Sequence, residues 1–414
     1  MEAVAASKGV SFLLSRAVAY GQKIFGLQRE LEALPDHRVK PQIPAAVFAK
    51  ALLMLWLCRL PSLNALELLG RRGAGRRFLR HAMPGADQIA NVSEILDVPG
   101  LRAILGHMYK RLVRNKVLLP LRGHRLAVVD GHEINASYHR CCPKCQTRQI
   151  TVNGEKRTQY YHRAVVFMLV GPHFHFLLDF ELLRPHDDEG SAALRLIRRV
   201  LQTYPRCFDI LLGDGLYPQA RLFKLLRRHG KHALVVLKDE RRDLLTDARG
   251  LFGSRPPTTF TIGPTHYQCW DVEQLGSWDS YPEKVRVVRS VETTTIRERA
   301  QGRWIEREQA TEWIWVTTLP AAEVPTANVV CFGHERWRIE NEAFNELCNH
   351  WHADHYFHHN PTSLIALWLL LFVAHALFHC FLRNLKPCRR QGLPIYFWSW
   401  LMLVEFLLPL MSSA

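Results

Sequence analysis

Apolar residues in the first part of the chain recur at helical spacing. Leu52 to Leu60 predicts an apolar helix ended by Pro61, and Ser62-Leu63-Asn64 begins another that runs through Leu69. Ile89 to Gly100 and Leu101 to Val117 predict two more. Around Arg125 the pattern changes. Leu126-Ala127-Val128-Val129-Asp130-Gly131 is a short apolar run closed by an acid and a glycine, as expected of a buried strand that delivers a carboxylate at its carboxyl end. After an irregular stretch, Ala164–Val170 and Phe174–Leu183 read as strands around the turn Gly171-Pro172-His173. Ser191–Tyr204 is an amphipathic helix, and Phe208 to Gly215 is a second strand ending in Asp-Gly. Pro218–Arg228 is a helix ended by Gly230, and Ala233–Leu237 is a fifth strand.

The order strand, strand, strand, helix, strand, helix, strand is that of a ribonuclease H-like α/β fold, a mixed sheet flanked by helices. In that fold the first and fourth strands are neighbours, so Asp130 and Asp214 are expected to meet. Between about Asp239 and Val330 the runs Thr258–Ile262, Val285–Val291 and Trp313–Thr318 alternate or carry β-branched residues, which suggests a β-rich insertion. The expected organisation is a helical, DNA-binding part over 1–120, a catalytic domain split into 121–238 and 331–384 by an insertion at 239–330, and an apolar tail at 385–414.

Charge sharpens this picture. Lys and Arg total 54 against 38 Asp and Glu, a formal net charge of +16 that favours a polyanionic partner such as nucleic acid. The basic turn Gly70-Arg71-Arg72-Gly73-Ala74-Gly75-Arg76-Arg77 offers Arg71, Arg72, Arg76 and Arg77 to phosphates. Arg286, Arg289, Arg297, Arg299 and Arg303 interleave with Trp304, Trp313 and Trp315 in the insertion, a mixture suited to phosphates and unstacked bases. The 10 cysteines are mostly scattered singly through apolar contexts and do not form a secreted disulfide framework. Met1-Glu2-Ala3-Val4 does not begin a signal-peptide pattern, and a cytoplasmic location is expected. Ser363–Leu382 and Ile395–Met411 approach bilayer-spanning length. His375 and His379 interrupt the first, Glu405 and Pro409 the second, and buried core helices are the expectation.

The chemistry centres on Glu335 to Leu347. At helical spacing Trp337, Phe344, Leu347 and Trp351 share an apolar face, and Arg336 and Glu340 project from one side. Asp130, Asp214 and Glu340 then make a set of hard oxygen donors for two divalent ions, Mg²⁺ or Mn²⁺. Water attack on a phosphodiester would nick a strand; attack by a 3′-hydroxyl would join strands.

Three motifs carry a family resemblance: Val129-Asp130-Gly131, Gly213-Asp214-Gly215-Leu216-Tyr217, and Arg336-Trp337-Arg338-Ile339-Glu340-Asn341-Glu342-Ala343-Phe344-Asn345-Glu346-Leu347. Over about residues 121–384 the chain resembles the DDE transposases of bacterial insertion sequences, in the branch with a β insertion before the final glutamate. The resemblance implies cut-and-paste transposition of double-stranded DNA, with Asp130, Asp214 and Glu340 as the catalytic and metal-binding triad. It implies that Arg336 contacts DNA phosphate near the cut, and that Trp313 or Trp315 stacks near a flipped base. A homodimer on synapsis of two DNA ends is the matching assembly. The tyrosine and lysine that often flank the family's motif are Gly333 and Leu347 here. The rival readings are a metal-dependent nuclease without joining and a domesticated, non-catalytic DNA-binding protein.

Cys142 and Cys145 have the spacing of half a zinc site. His132, His139, Cys141 and His162 are near in sequence but none forms a clear second pair, so structural Zn²⁺ is not the leading expectation. The irregularly spaced histidines from His350 to His359 suggest no ligand assignment.

Overall fold

Strand β1 (Leu126–Ser137) is the strand on which the sheet is assembled. Its apolar first half is buried on both faces, as central strands of mixed sheets are. On one side β3 (Glu155–Val170) runs antiparallel to it over its whole length, from Leu126↔Val170 to Ser137↔Tyr160, with a bulge between Glu133 and Asn135. On the other side β5 (Ile210–Gly213) runs parallel, paired at Leu126↔Ile210, Ala127↔Leu211 and Val128↔Leu212. β2 (Gln146–Val152) and β4 (His175–Leu182) both pair with β3, and β6 (His232–Val236) lies parallel beyond β5. This is the ribonuclease H-like core, seen in a computed structural model that describes residues 12–238, 242–300, 303–385 and 393–411.

The stretch expected to be irregular after Gly131 is instead strand. β1 continues past its last pairing with β5 to Ser137, and β2 and the first half of β3 complete an antiparallel extension. The extension was hidden because its side chains are largely polar and solvent-facing, which removes the apolar alternation that marks strands.

The insertion does not form a separate sheet. β7 (Thr258–Ile262), β8 (Thr265–Leu275), β9 (Val285–Ala300) and β10 (Arg303–Thr317) are a meander, and β10 pairs with β6 at Trp315↔Val236, Val316↔Val235 and Thr317↔Leu234. Among the described residues the ten strands therefore form one sheet. Arg286, read as a phosphate contact, is buried and paired with Asp271 at 2.5 Å while donating to the carbonyls of Leu319 and Val324. It holds the base of this meander.

The helical layers follow from apolar periodicity and capping. α1 (Leu13–Phe25), α2 (Leu27–Glu32), α3 (Ala45–Leu57), α4 (Leu63–Arg71), α5 (Arg76–Leu79), α6 (Ala86–Ser93) and α7 (Val98–Arg114) precede the sheet. The pair expected at Ile89–Gly100 and Leu101–Val117 divides elsewhere. Asp97 accepts from the N–H of Gly100 as an N-cap, and Pro99 occupies the first turn of α7, so the break falls before Val98. α8 (Glu189–Thr203), α9 (Ala220–Arg228) and α10 (Asp243–Phe252) follow strands β4, β5 and β6.

α11 (Thr326–Glu335) leads to a π-helical segment at Ile339–Phe344, then α12 (Asn345–Trp351), α13 (Pro361–Asn384) and α14 (Ile395–Met411). α13 is the one described helix long and apolar enough to cross a membrane, and 89% of its apolar window is buried inside the fold. It packs against α1, α3, α6 and α7, while α14 packs on α1 and α3. The apolar runs are thus accounted for by contact between helices. The basic break at Lys386-Pro387-Cys388-Arg389-Arg390 lies outside the described residues.

Candidate active site

Asp130 sits at the fifth position of β1, not at its end, because β3 carries the strand onward after β5 has stopped. Asp214 directly follows β5. Both stand two residues beyond the last parallel pair, Val128↔Leu212, so the split between β1 and β5 opens between them. A crevice beyond the carboxyl ends of neighbouring parallel strands is where open α/β sheets place their ligands. Local hydrogen bonds fix each acid. Asp130 Oδ1 accepts from the N–H of Gly131 at 2.8 Å, and Asp214 Oδ1 accepts from the N–H of Leu216 at 2.9 Å in a tight turn.

Glu340 arrives from the π segment. Arg336 Nη1 lies 2.6 Å from Glu340 Oε1 and 3.6 Å from Asp130 Oδ2, so one guanidinium nitrogen joins the two acids. Burial, reinforced by the neighbouring Asp214 and by Glu340, pushes the Asp130 carboxyl up to about 7 against the opposing pull of Arg336. His132 stacks on Phe344 at 4.4 Å, which ties the continuation of β1 to the segment carrying Glu340.

That segment is not the regular helix expected. π-helical winding over Ile339–Phe344 changes the angular spacing of the side chains. Phe344, Leu347 and Trp351 remain in the core, but Trp337 leaves that face and stands half-buried beneath the Arg336 guanidinium, 4.1 Å from its ring centre.

The acids have a backing that sequence reading missed. Glu189, the first residue of α8, is buried, pairs with Arg163 at 2.7 Å and accepts from the Tyr217 hydroxyl at 2.9 Å. Its Oε2 would lie 2.1 Å from any Cβ at position 131, so Gly131 is required for this approach. Burial, with Glu189, Asp130 and Asp214 nearby, pushes the Tyr217 hydroxyl well up, and it stays a neutral donor. The only sign in the sequence is the acid run Asp187-Asp188-Glu189, which reads equally well as a helix start.

Three buried or half-buried carboxylates, one shared guanidinium and a fixed backing make a hard-donor site on a ribonuclease H-like sheet. A family model of the transposase DDE domain matches residues 121–377. The chain belongs to the DDE transposases. No curated protein matches it.

Other anticipated site residues of this transposase fall in different places. Trp313 is half-buried, with Lys238 Nζ 5.5 Å from its ring centre and Trp337 edge-on at 5.8 Å. Trp315 cannot stack on a base: it is 1% exposed and stacks instead on Trp313 at 6.2 Å. Trp315 also explains Gly333, since a Cβ there would lie 2.5 Å from its indole. A tyrosine at 333 has no room. Leu347, at the position of the family's lysine, is fully buried.

Arg336 is likewise buried and directed at the carboxylates, rather than presented on the surface. In the basic turn, Arg71 pairs with Glu67, Arg77 pairs with Glu405 at 2.8 Å, and Arg72 and Arg76 are exposed. The contacts of this turn run to Met83 and α14, not to the carboxylates. Cys142 and Cys145 meet His162 and His359, also apart from the carboxylates.

A cavity of about 640 Å³ lies on the other side of the π segment, lined among others by His175, Glu342, Glu346, His375 and His379. None of the three acids lines it. The transposase's substrate is a polymer, and the crevice where β1 and β5 part, rather than this cavity, carries the acids.

Proposed function

We propose that this transposase cuts the ends of its own DNA element and joins them to target DNA, using Asp130, Asp214 and Glu340 as its catalytic, metal-holding triad. The observation that carries the reading is the convergence of the three acids at the split between β1 and β5, around one nitrogen of Arg336. The donors are oxygens only, and burial, with the repulsion of Asp214 and Glu340 added to it, raises Asp130 towards neutrality. Such a set fits two Mg²⁺ or Mn²⁺ ions better than a softer metal. When bound, the ions supply Lewis-acid stabilisation of the attacking and leaving oxygens of a phosphodiester.

The protein's own part is placement. Gly131, Glu189 and Tyr217 hold the Asp130 and Asp214 turns against α8, so the acids are fixed before substrate arrives. Arg336 keeps the like-charged Asp130 and Glu340 side by side. Trp313, flanked by Lys238 and Trp337, offers a ring face and a cation to an unstacked base and its phosphate. Arg72 and Arg76 on the helical part are the open cations for duplex contact. The substrate is double-stranded DNA, two protomers pair on synapsis, and the protein works in the cytoplasm on the nucleoid.

Cleavage and strand transfer on DNA carrying the element ends, with Mg²⁺ or Mn²⁺, tests this. Joining should disappear in Asp130→Ala, Asp214→Ala and Glu340→Ala while DNA binding persists. Cleavage without joining in the wild type would make it a nuclease. Activity that survives loss of any one acid would refute the triad.

A further inference from the structure

We propose that Cys142, Cys145, His162 and His359 form a structural zinc site that pins the β1–β3 extension to the segment entering α13.

The four side chains come from three separated parts of the chain. Cys142 and Cys145 flank a turn before β2, His162 lies within β3, and His359 lies in the loop after α12. Their ligand atoms all lie within 4.8 Å of one another. The two sulfurs are 3.8 Å apart. Cys142 Sγ is 3.5 Å from His162 Nε2, and Cys145 Sγ is 3.4 Å from His162 Nε2 and 3.2 Å from His359 Nε2. A tetrahedral zinc with bonds of about 2.3 Å to sulfur and about 2.0–2.1 Å to nitrogen has edges of about 3.8 Å between sulfurs and about 3.6 Å between sulfur and nitrogen. These four edges match that tetrahedron to within a few tenths of an ångström, and the other two, Cys142–His359 and His162–His359, lie within 4.8 Å.

Two hydrogen bonds fix the turn that carries both sulfurs: Cys145 N–H donates to the Cys142 carbonyl at 3.0 Å, and Cys142 N–H donates to Cys145 Sγ at 3.3 Å. A disulfide is excluded, since the sulfurs stand well beyond the bonded distance of about 2.05 Å. Two thiolates and two imidazoles in a tetrahedron select zinc over the oxygen-seeking ions suited to the carboxylate site. All four positions belong to the protein, which marks a structural rather than a catalytic ion.

The site would add a tether to residues 352–360, a stretch with no helix or strand that is also held by the His358–Glu94 pair at 2.7 Å. Tyr356 stacks on the His359 ring at 4.9 Å and 15°, and Asn360, the next residue, caps α13 by accepting from Thr362 and Ser363. Zinc there would fasten this loop, the start of the central helix and the polar strand extension to one point. His162 was near in sequence, but its pairing with His359 was not visible because His359 lies 214 residues from Cys145.

The test is elemental analysis of the full-length, untagged protein, with no DNA present. About one zinc per chain is expected, retained in Asp214→Ala and reduced at least tenfold in the Cys142→Ser/Cys145→Ser double variant and in His359→Ala. Cobalt(II) exchanged into the wild type should give the intense visible bands of a tetrahedral site with thiolate ligands, and this reading stands even if a variant fails to fold. Folded wild type without zinc and without that cobalt spectrum would overturn the proposal. So would zinc that survives loss of both cysteines, or zinc lost with Asp214. Because metal content is read without activity, failure here is separable from failure of the catalytic reading.

Discussion

Asp130 and Asp214 occupy the same level of the sheet, each two residues past the Val128↔Leu212 pair where β1 and β5 last meet. The fold forces two like charges together at a buried rim and offsets them with Arg336.

The first prediction is a stability gain on removing one charge. The Asp130 carboxyl is raised from its ordinary 3.8 to about 7, so the stability it contributes is full below about pH 4 and is lost as pH rises through about 7. Asp130→Asn should therefore melt a few degrees above wild type at pH 8 without divalent ions, and this advantage should shrink by pH 5. Adding Mg²⁺ should raise the wild-type melting temperature and leave the variant unchanged. A variant that melts below wild type at pH 8 would show that Arg336 more than compensates the repulsion.

Gly131 gives the second. A methyl group there meets Glu189 at 2.1 Å, so Gly131→Ala should destabilise the protein by about 1–3 kcal/mol and lower the cleavage rate. Shortening the opposing acid should relieve the clash, and Gly131→Ala with Glu189→Asp should recover part of the loss in denaturant unfolding. Strict additivity of the two changes would mean that Glu189 is not what Gly131 accommodates.

Trp313 and Trp315 supply the third. Trp315 is core, and Trp315→Ala should cost about 3–5 kcal/mol. Half-buried Trp313 should cost much less when replaced by alanine, yet weaken binding to DNA with unpaired bases near the element end. Equal loss of stability in both variants would remove Trp313 as a stacking candidate.

The succession of core strands and helices was legible from local periodicity and the meeting of Arg336 with Glu340 from i,i+4 spacing, while the contact between β1 and β5 followed only from the fold that this succession implies. Three things were not legible. β2 and the outer half of β3 are polar strands whose alternation is hidden by exposure on both faces. The displacement of Trp337 depends on π winding, which leaves no mark in composition. The distinction between Trp313 and Trp315 rests on Gly333, a residue from a different element, and contacts of that kind exist only once the sheet has formed.

The last prediction concerns the basic turn and the C-terminal helix. Glu405 of α14 is buried, and its carboxylate accepts from the N–H of Leu14 at 2.5 Å and of Ser15 at 3.1 Å while pairing with Arg77. It thus caps the start of α1 where the helix dipole favours an anion. Glu405→Ala leaves those amides and part of Arg77 without a partner, so it should cost about 3–5 kcal/mol. Arg77→Ala should lower the melting temperature by less, because a third of that side chain is already solvated. Arg72→Ala and Arg76→Ala should leave stability unchanged and each reduce the salt dependence of DNA binding by about one ion. Measuring melting and salt slope on the same four variants separates the roles. If Arg77→Ala changed only the slope, the turn would face DNA as a whole and its tie to α14 would not hold it in place.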